Sequence, residues 1–196
     1  MNEVINNIYK RRAVRKYKDT PVEKDLVCRI IAAGKMAPSA MNRQPWKFYV
    51  LTDKNKIRSY SKEIAHIALQ GVKDLSLKEV VKMSLGLFHF STIVDLVTKS
   101  DHVFYEAPLV IFITSPKDDD WGALDVGMCA QNMMLVAKSI GLETCPVGFA
   151  KFVMKTPDYH LLNIPDADIV QLAIIVGYGD EHPKEHEMVD GNVFYV

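Results

Sequence analysis

The sequence predicts a domain that mixes α-helices with β-strands. Three observations lead to this prediction: a length of 196 residues, several segments with apolar residues at helical spacing, and two short runs that are almost entirely apolar. A chain of this length can bury a real core, and 48% of its residues are hydrophobic. Because there is no internal repeat, low-complexity segment or composition shift, we expect residues 1–196 to form one domain.

Two helices are predicted in the first 35 residues. Positions 4, 5, 8 and 9 are apolar, which is the spacing of one helix face, and a basic run follows them. A second helix has a marked start, with Thr20 as the N-cap, Pro21 as its first residue and Glu23 closing a capping box. Gly34 is the predicted end of this helix.

Strands and helices follow one another along the middle of the chain. Residues 47–52 read as a strand, and residues 54–70 and 75–99 read as helices. The apolar run at residues 108–114 suits a strand that is buried on both faces.

The last third of the chain predicts a long helix and two strands. The helix covers residues 123–140 and has Gly141 as its C-terminal cap. It is apolar on several sides, so more than one neighbour must bury it, and a second subunit can be one of them. Residues 169–176 form an apolar strand, and residues 192–196 resemble a strand that needs a sheet edge.

Charge and cysteine content exclude several classes of function. Lys plus Arg and Asp plus Glu both number 24, so net charge gives no reason to expect a nucleic-acid or membrane partner. The three cysteines, Cys28, Cys129 and Cys145, are far apart, which argues against a disulfide framework and a zinc site. There is no secretory signal and no uninterrupted apolar stretch of about 20 residues. We therefore expect a cytoplasmic protein.

Two segments are candidates for ligand binding. Arg11, Arg12 and Arg15 follow the first helix, and their donors suit an anion, although a solvated helix end carries such charges as well. Residues 37–46 combine two prolines, a hydroxyl, two amides and a Trp between a helix and a strand. This loop can contact a flat heterocycle, or it can be an ordinary connection with a packing Trp.

The same two segments resemble the N-terminal signature of the nitroreductase family. The matching patterns are Arg-Arg-x-x-Arg at residues 11–15 and Pro-Ser-x-x-Asn-x-Gln-Pro-Trp-x-Phe at residues 38–48. Later segments keep the family's order: Glu-Ala-Pro before a buried strand, the long helix, Pro-Val-Gly-Phe at 146–149 and Gly-Tyr-Gly at 177–179. The resemblance covers nearly the whole chain, and residues 61–104 are its least characteristic part.

The resemblance implies a fold, an assembly and a cofactor. The fold is α+β, nitroreductase-like, with a central, mostly antiparallel sheet flanked by helices. The assembly is an intertwined homodimer with flavin mononucleotide (FMN) at the interface. The activity is transfer of electrons from NADH or NADPH to a small oxidised acceptor, such as a nitroaromatic or a quinone. Donor and acceptor take the same place over the flavin, which predicts ping-pong kinetics.

The resemblance also implies the residues that bind the cofactor. Arg11, Arg12, Ala13 and Arg15 match the motif at the phosphate and the pyrimidine side of FMN, while Pro38, Ser39 and Asn42 match the loop that reaches FMN from the other subunit. Pro146, Val147 and Gly148 match the turn against the flavin ring, and Lys184 is the nearest basic residue after the last strand. Ala13 departs from a common Ser, and Met188 is not basic. We assign no catalytic acid or base and no metal ligand.

Alternatives remain open from the sequence. The chain can be a non-catalytic FMN binder for storage or sensing, or a dimeric scaffold that has lost FMN. Phe88, His89 and Phe90 can line the acceptor pocket or belong to a buried helix. The His182 and His186 pair contains Pro183, so a helical metal site is not expected, and Cys145 is interpreted as a packing residue.

Overall fold

A four-stranded antiparallel sheet lies at the centre of the part of the chain that this computed structural model describes, residues 2–73, 101, 103–185 and 187–196. The strands are β1 (Lys47–Leu51), β2 (Leu109–Pro116), β3 (Glu143–Val147) and β4 (Asp168–Gly177). The helices are α1 (Glu3–Lys10), α2 (Lys24–Lys35), α3 (Lys54–Lys73) and α4 (Gly122–Ser139). Short 3₁₀ helices cover Ala40–Asn42, Gly148–Lys155 and Pro157–Leu162.

The strand order is β1-β2-β4-β3, and every neighbouring pair is antiparallel. The two central strands are the runs that the sequence marks as apolar. In β2, alternate residues point to opposite faces, so Val110 and Phe112 enter one core while Ile111 and Ile113 enter the other. Both faces of the sheet are therefore buried, as the absence of polar alternation predicts.

Helices cover both faces of this sheet. One face packs against α3 and the 3₁₀ helix Gly148–Lys155, and the other face packs against α2 and α4. Eight residues of α4 are buried, which confirms a helix enclosed by more than one neighbour. Gly34 of α2 allows close packing here, because an added Cβ would lie 2.7 Å from Cγ of Met133. Gly141 follows α4 with φ of 84°, which confirms its predicted capping role.

The predicted start of α2 is wrong by several residues. The helix begins at Lys24, its N-cap is Glu23, and neither Thr20 nor Pro21 is helical. Glu23 makes no side-chain cap bond because its carboxylate accepts a hydrogen bond of 2.7 Å from the Tyr178 hydroxyl. A tertiary contact therefore replaces the local capping box. Gly34 likewise does not end the helix, which continues to Lys35.

At the sheet edges one prediction fails, and another finds no pairing partner within a single chain. Pro146 and Val147 belong to strand β3 and not to a turn. A proline is tolerated there because β3 is the last strand of the sheet, and the bridge on its outer side involves Thr144 and not Pro146. Residues 192–196 form no strand within the described chain, and Phe194 and Tyr195 are 80% and 97% exposed. The predicted helix at residues 75–99 lies outside the described residues, together with Phe88, His89 and Phe90.

Candidate functional site

The basic segment after α1 is held against the β3 edge of the sheet. Ala13 forms a bridge with Thr144, and the Val14 N–H donates to the Thr144 carbonyl at 3.0 Å. On its other side, the Lys18 N–H donates to the Tyr178 carbonyl at 2.8 Å, beyond the end of β4. The segment is thus a fixed strand-like element between two parts of the fold, and not a solvated helix end.

The arginines of this segment have different surroundings. Arg12 donates through Nε to the Lys184 carbonyl at 3.3 Å and through Nη1 to the Arg11 carbonyl at 2.6 Å. It therefore joins the N-terminal segment to the chain after β4, and it brings two predicted site positions together. The Arg15 guanidinium lies over the ring of Tyr105, with Cζ 5.9 Å from the ring centroid.

A pocket of about 780 Å³ opens beside this segment. That volume is in the range of cofactor sites. Its lining combines basic and acidic side chains with two tyrosines, and comprises Ala13, Arg15, Lys16, Tyr17, Asp101, Tyr105, Glu106, Glu181, His182 and Pro183. The sequence identified Ala13 and Arg15 among these residues.

Of the three arginines in the basic segment, Arg15 lines the pocket. Across the described residues, no carboxylate forms a salt bridge with Arg11, Arg12 or Arg15. Lys16 instead pairs with Asp180 at 2.9 Å, and this hydrogen bond raises the pKa of Lys16 and lowers that of Asp180. Guanidinium groups without an internal carboxylate suit the phosphate dianion of FMN, so the residues present fit this cofactor.

The predicted flavin-ring segment lies on the same sheet edge. Pro146 and Gly148 are exposed, and Val147 is buried between them. Apart from the adjacent residues, no described part of the chain comes within 4 Å of a Cβ added at Gly148. Cys145 is only 2% exposed, and burial raises the pKa of its thiol even though Arg15 and Arg11 oppose the shift. A buried neutral thiol agrees with its interpretation as a packing residue.

The loop with Pro38, Ser39 and Asn42 is tightly structured. Met41, Asn42 and Gln44 all have positive φ, at 51°, 55° and 50°. The Gln44 N–H donates to Ser39 Oγ at 2.9 Å, and the Gln44 amide donates to Asn42 Oδ1 at 3.0 Å. Backbone conformations of this kind are costly for non-glycine residues and often occur at binding sites.

Within one chain, this loop is far from the basic segment. The Ala40 N–H donates to both carboxylate oxygens of Asp125 at 3.2 Å, near the start of α4. Glu143 lies beside Gly179, close to the basic segment, and it forms an ion pair with Lys138. Lys138 is at the other end of α4. Asp125 and Lys138 are 13 positions apart, which is about 20 Å along a helix. The structure does not bring the two predicted halves of the site together.

Several pocket residues escaped the sequence reasoning. Asp101, Tyr105 and Glu181 lie in irregular segments outside the recognised motifs, and the sequence analysis considered His182 only as half of a metal pair. One signal in the sequence could have indicated Asp101: it precedes a stretch without helical or strand periodicity that leads into a buried strand. An Asp in such a position typically accepts hydrogen bonds from the backbone of a turn.

No cluster of three or more His, Cys, Asp or Glu residues in the described ranges could hold a metal ion. His186 lies outside those ranges, so the His182 and His186 pair is not described. Among the helices described, none has both the length and the apolar character that crossing a membrane requires.

The fold and the pocket define a class: an α+β domain with an arginine-bearing segment along one sheet edge, beside a cofactor-sized pocket. The sequence pattern of the nitroreductase family matches residues 8–178, and the chain belongs to that family. This confirms both the resemblance and the class of enzyme that it implied.

Relatives and solved structures agree with this assignment. The chain is 30% identical to a 4-nitrobenzoate reductase from Pseudomonas putida, over 88% of this chain and 83% of the relative. It is 28% identical to a nitrobenzene nitroreductase from Ectopseudomonas oleovorans, over 91% and 87% of the two chains. A nitroreductase with bound FMN from Bacteroides fragilis superposes with a TM-score of 0.79 at 21% identity, over the full length of both chains. The last similarity confirms the predicted fold.

Proposed function

We propose that the chain is an FMN-dependent oxidoreductase that passes electrons from NADH or NADPH to a small oxidised acceptor, a nitroaromatic or a quinone. The observation that carries the proposal is the pocket beside Arg15, with the arginine segment fixed between β3 and residues 178–184. The FMN bound in related structures and the nitroaromatic substrates named for two relatives support it. FMN, when bound, supplies the hydride and electron chemistry.

The residues of this chain have separate proposed tasks. Arg11, Arg15 and the exposed Lys184 hold the phosphate and the pyrimidine side of FMN, while Arg12 keeps the two segments together through its bond to the Lys184 carbonyl. Residues 146–148 offer the edge of β3 to the ring, where the absence of a side chain at Gly148 leaves open space. Ala13 lines the pocket without a hydroxyl, so one contact available to a Ser is missing here.

We propose a homodimer in which Pro38, Ser39 and Asn42 of one copy complete the site of the other. The positions of their contacts at opposite ends of α4, about 20 Å apart along the helix, support this, because the loop and the basic segment of one chain then lie on separate parts of the fold. Exposed apolar surface supports it as well: on α1, Val4 and Ile8 are 63% and 50% exposed. Deleting residues 192–196 should shift the protein towards monomer in light scattering and lower its FMN content. A monomeric full-length protein that retains FMN would contradict the dimer.

The decisive experiment is an anaerobic absorption spectrum before and after NADH or NADPH is added. A flavin spectrum that bleaches supports the enzyme, and one that persists with both nucleotides supports the FMN-binding storage or sensor protein instead. A colourless protein that takes up no added FMN would overturn both readings. Because donor and acceptor are proposed to share one pocket, initial rates should give parallel double-reciprocal lines, and intersecting lines would refute the ping-pong scheme.

Replacement of the arginines tests the assignment of the site. A charge-assisted hydrogen bond contributes about 1.5–3 kcal/mol, so Arg15→Gln should raise the Kd of FMN roughly 10- to 100-fold. Arg29→Gln is the matched control, since it removes the same charge from an exposed position on α2. Equal Kd values of FMN for the two variants would show that Arg15 does not belong to the proposed site.

A further inference from the structure

One buried carboxylate organises the turn that leads into β2. Asp101 is 3% exposed, although it lies beside the pocket. Its two oxygens accept four backbone N–H bonds, from Val103 at 3.3 Å, Phe104 at 2.9 Å, Tyr105 at 3.2 Å and Glu106 at 3.0 Å. The Ser61 hydroxyl of α3 donates a fifth hydrogen bond to the same carboxylate. The turn is thus built around this side chain and tied through it to α3.

The turn needs this support because of its backbone. Tyr105 and Glu106 are consecutive non-glycine residues with φ of 54° and 56°, in the left-handed region. Side chains with a Cβ rarely adopt that conformation unless other contacts fix it. The N–H groups of both residues point to Asp101, so the carboxylate supplies the contacts that hold them there.

The two aromatic residues of the turn lie in different environments. Phe104 is fully buried and packs edge-on against Phe112 of β2, with ring centroids 5.8 Å apart, so it anchors the turn in the core. Tyr105 is half-buried, lines the pocket and lies beneath the Arg15 guanidinium. A guanidinium over a ring face keeps its N–H groups in its own plane, where a ligand can still accept from them.

We propose that Asp101 is a positioning residue for the anion-binding part of the pocket: it fixes Tyr105 in the left-handed conformation, and the Tyr105 ring in turn fixes Arg15. This proposal rests on the function proposed above, because Arg15 is there the ligand of FMN. In this scheme neither Asp101 nor Tyr105 touches the cofactor. They affect FMN binding only because they orient the Arg15 guanidinium.

The test compares two substitutions at Tyr105. Tyr105→Leu removes the ring face and should raise the Kd of FMN about fivefold, whereas Tyr105→Phe retains the face and should stay within about twofold of the wild type. In an Arg15→Gln background, Tyr105→Leu should have no further effect, because the residue acts through Arg15. A full additional loss in that background would overturn the proposal, since the ring would then act independently of Arg15.

A second measurement does not depend on the flavin. In ¹H–¹⁵N spectra of the apoprotein, the ring current of Tyr105 should shift the Arg15 Nε–H resonance, and the shift should persist in Tyr105→Phe and disappear in Tyr105→Leu. Asp101→Asn should move the same resonance in the direction of Tyr105→Leu. An Arg15 resonance that is unchanged in Tyr105→Leu would refute the positioning role. A wild type with the predicted shift but without FMN binding would instead refute the proposed function.

If Asp101→Asn fails to fold, Ser61→Ala supplies the milder perturbation of the same carboxylate. It removes only the hydroxyl partner and should produce a partial shift of the Arg15 resonance, with a loss of FMN affinity smaller than that of Tyr105→Leu. The proposal would be overturned if Ser61→Ala changed neither the Arg15 resonance nor the FMN affinity and if that resonance were also insensitive to Tyr105. The turn would then have only a structural role.

Discussion

Asp125 offers the sharpest test of how the 38–42 loop is held. Its side chain is 1% exposed in the first turn of α4, and both of its oxygens accept from the Ala40 N–H at 3.2 Å. We predict that Asp125→Ala destabilises the protein and releases this loop. Because Met41, Asn42 and the nearby Gln44 all have positive φ, the loop should relax to other conformations once the contact is lost.

The expected magnitude follows from two contributions. A hydrogen bond to a charged group contributes about 1.5–3 kcal/mol, and a single N–H shared between two oxygens belongs at the lower end of that range. A carboxylate in the first turn of a helix adds about 0.3–1 kcal/mol through the helix dipole. The free energy of unfolding should therefore fall by roughly 2 kcal/mol in Asp125→Ala, and by about half of that in Asp125→Asn, which keeps an acceptor.

Urea denaturation of the apoprotein measures this loss, and a titration with FMN measures the effect on the site. Asp25→Ala is the matched control: Asp25 lies in the first turn of α2 and is exposed, so only the dipole contribution is lost. Asp125→Ala should exceed this control by about 1.5 kcal/mol. If both alanine variants unfold at the same urea concentration, the clamp between Asp125 and the loop does not contribute to stability and the reasoning fails.

Two further predictions concern packing and pH. Gly177→Ala would place a Cβ 2.7 Å from the Pro108 ring and should cost about 1–3 kcal/mol in urea denaturation. Gly127→Ala should be neutral or stabilising, because outside its own helix no described residue has an atom within 4 Å of the added Cβ. Equal midpoints for these variants would contradict the close approach. Asp180 has a lowered pKa and Lys16 a raised one, so the stabilisation from their ion pair is present above the unfolded pKa of Asp and below that of Lys. Lys16→Met should therefore lower stability by a constant small amount from about pH 5 to pH 9, and the difference from wild type should disappear in acid as Asp180 becomes protonated.

Regular elements with strong periodicity were predictable from the sequence, and elements defined by tertiary contacts were not. The apolar runs predicted β2 and β4 because their burial on both faces leaves no polar alternation. The start of α2 was misplaced because Glu23 bonds with Tyr178, which is distant in sequence. Strand β3 was missed because Pro146 is a turn signal in isolation, and only the sheet order reveals an edge position where proline is tolerated.

The same distinction applies to the candidate site. The sequence identified Arg11, Arg12 and Arg15 because charge clustering and motif spacing are visible in one dimension. It could not show that Arg12 binds the Lys184 carbonyl 172 positions away, which separates its role from that of the other two. The sequence could not indicate Tyr105 for another reason: its proposed role depends on a left-handed backbone conformation and on a hydrogen bond to Asp101.

The 38–42 loop lies at one end of α4 and the basic segment lies near the other end, and the proposed site needs both. If each cofactor is bound by the basic segment of one chain and the 38–42 loop of another, defects in the two groups belong to different halves of each site. A protein with a damaged Arg15 and a protein with a damaged Asp125 would then complement each other when refolded together. Every mixed dimer would contain one intact site and one doubly damaged site, so random mixing would restore about a quarter of all sites. Two inactive proteins would thus yield a partly active one without any change in either sequence.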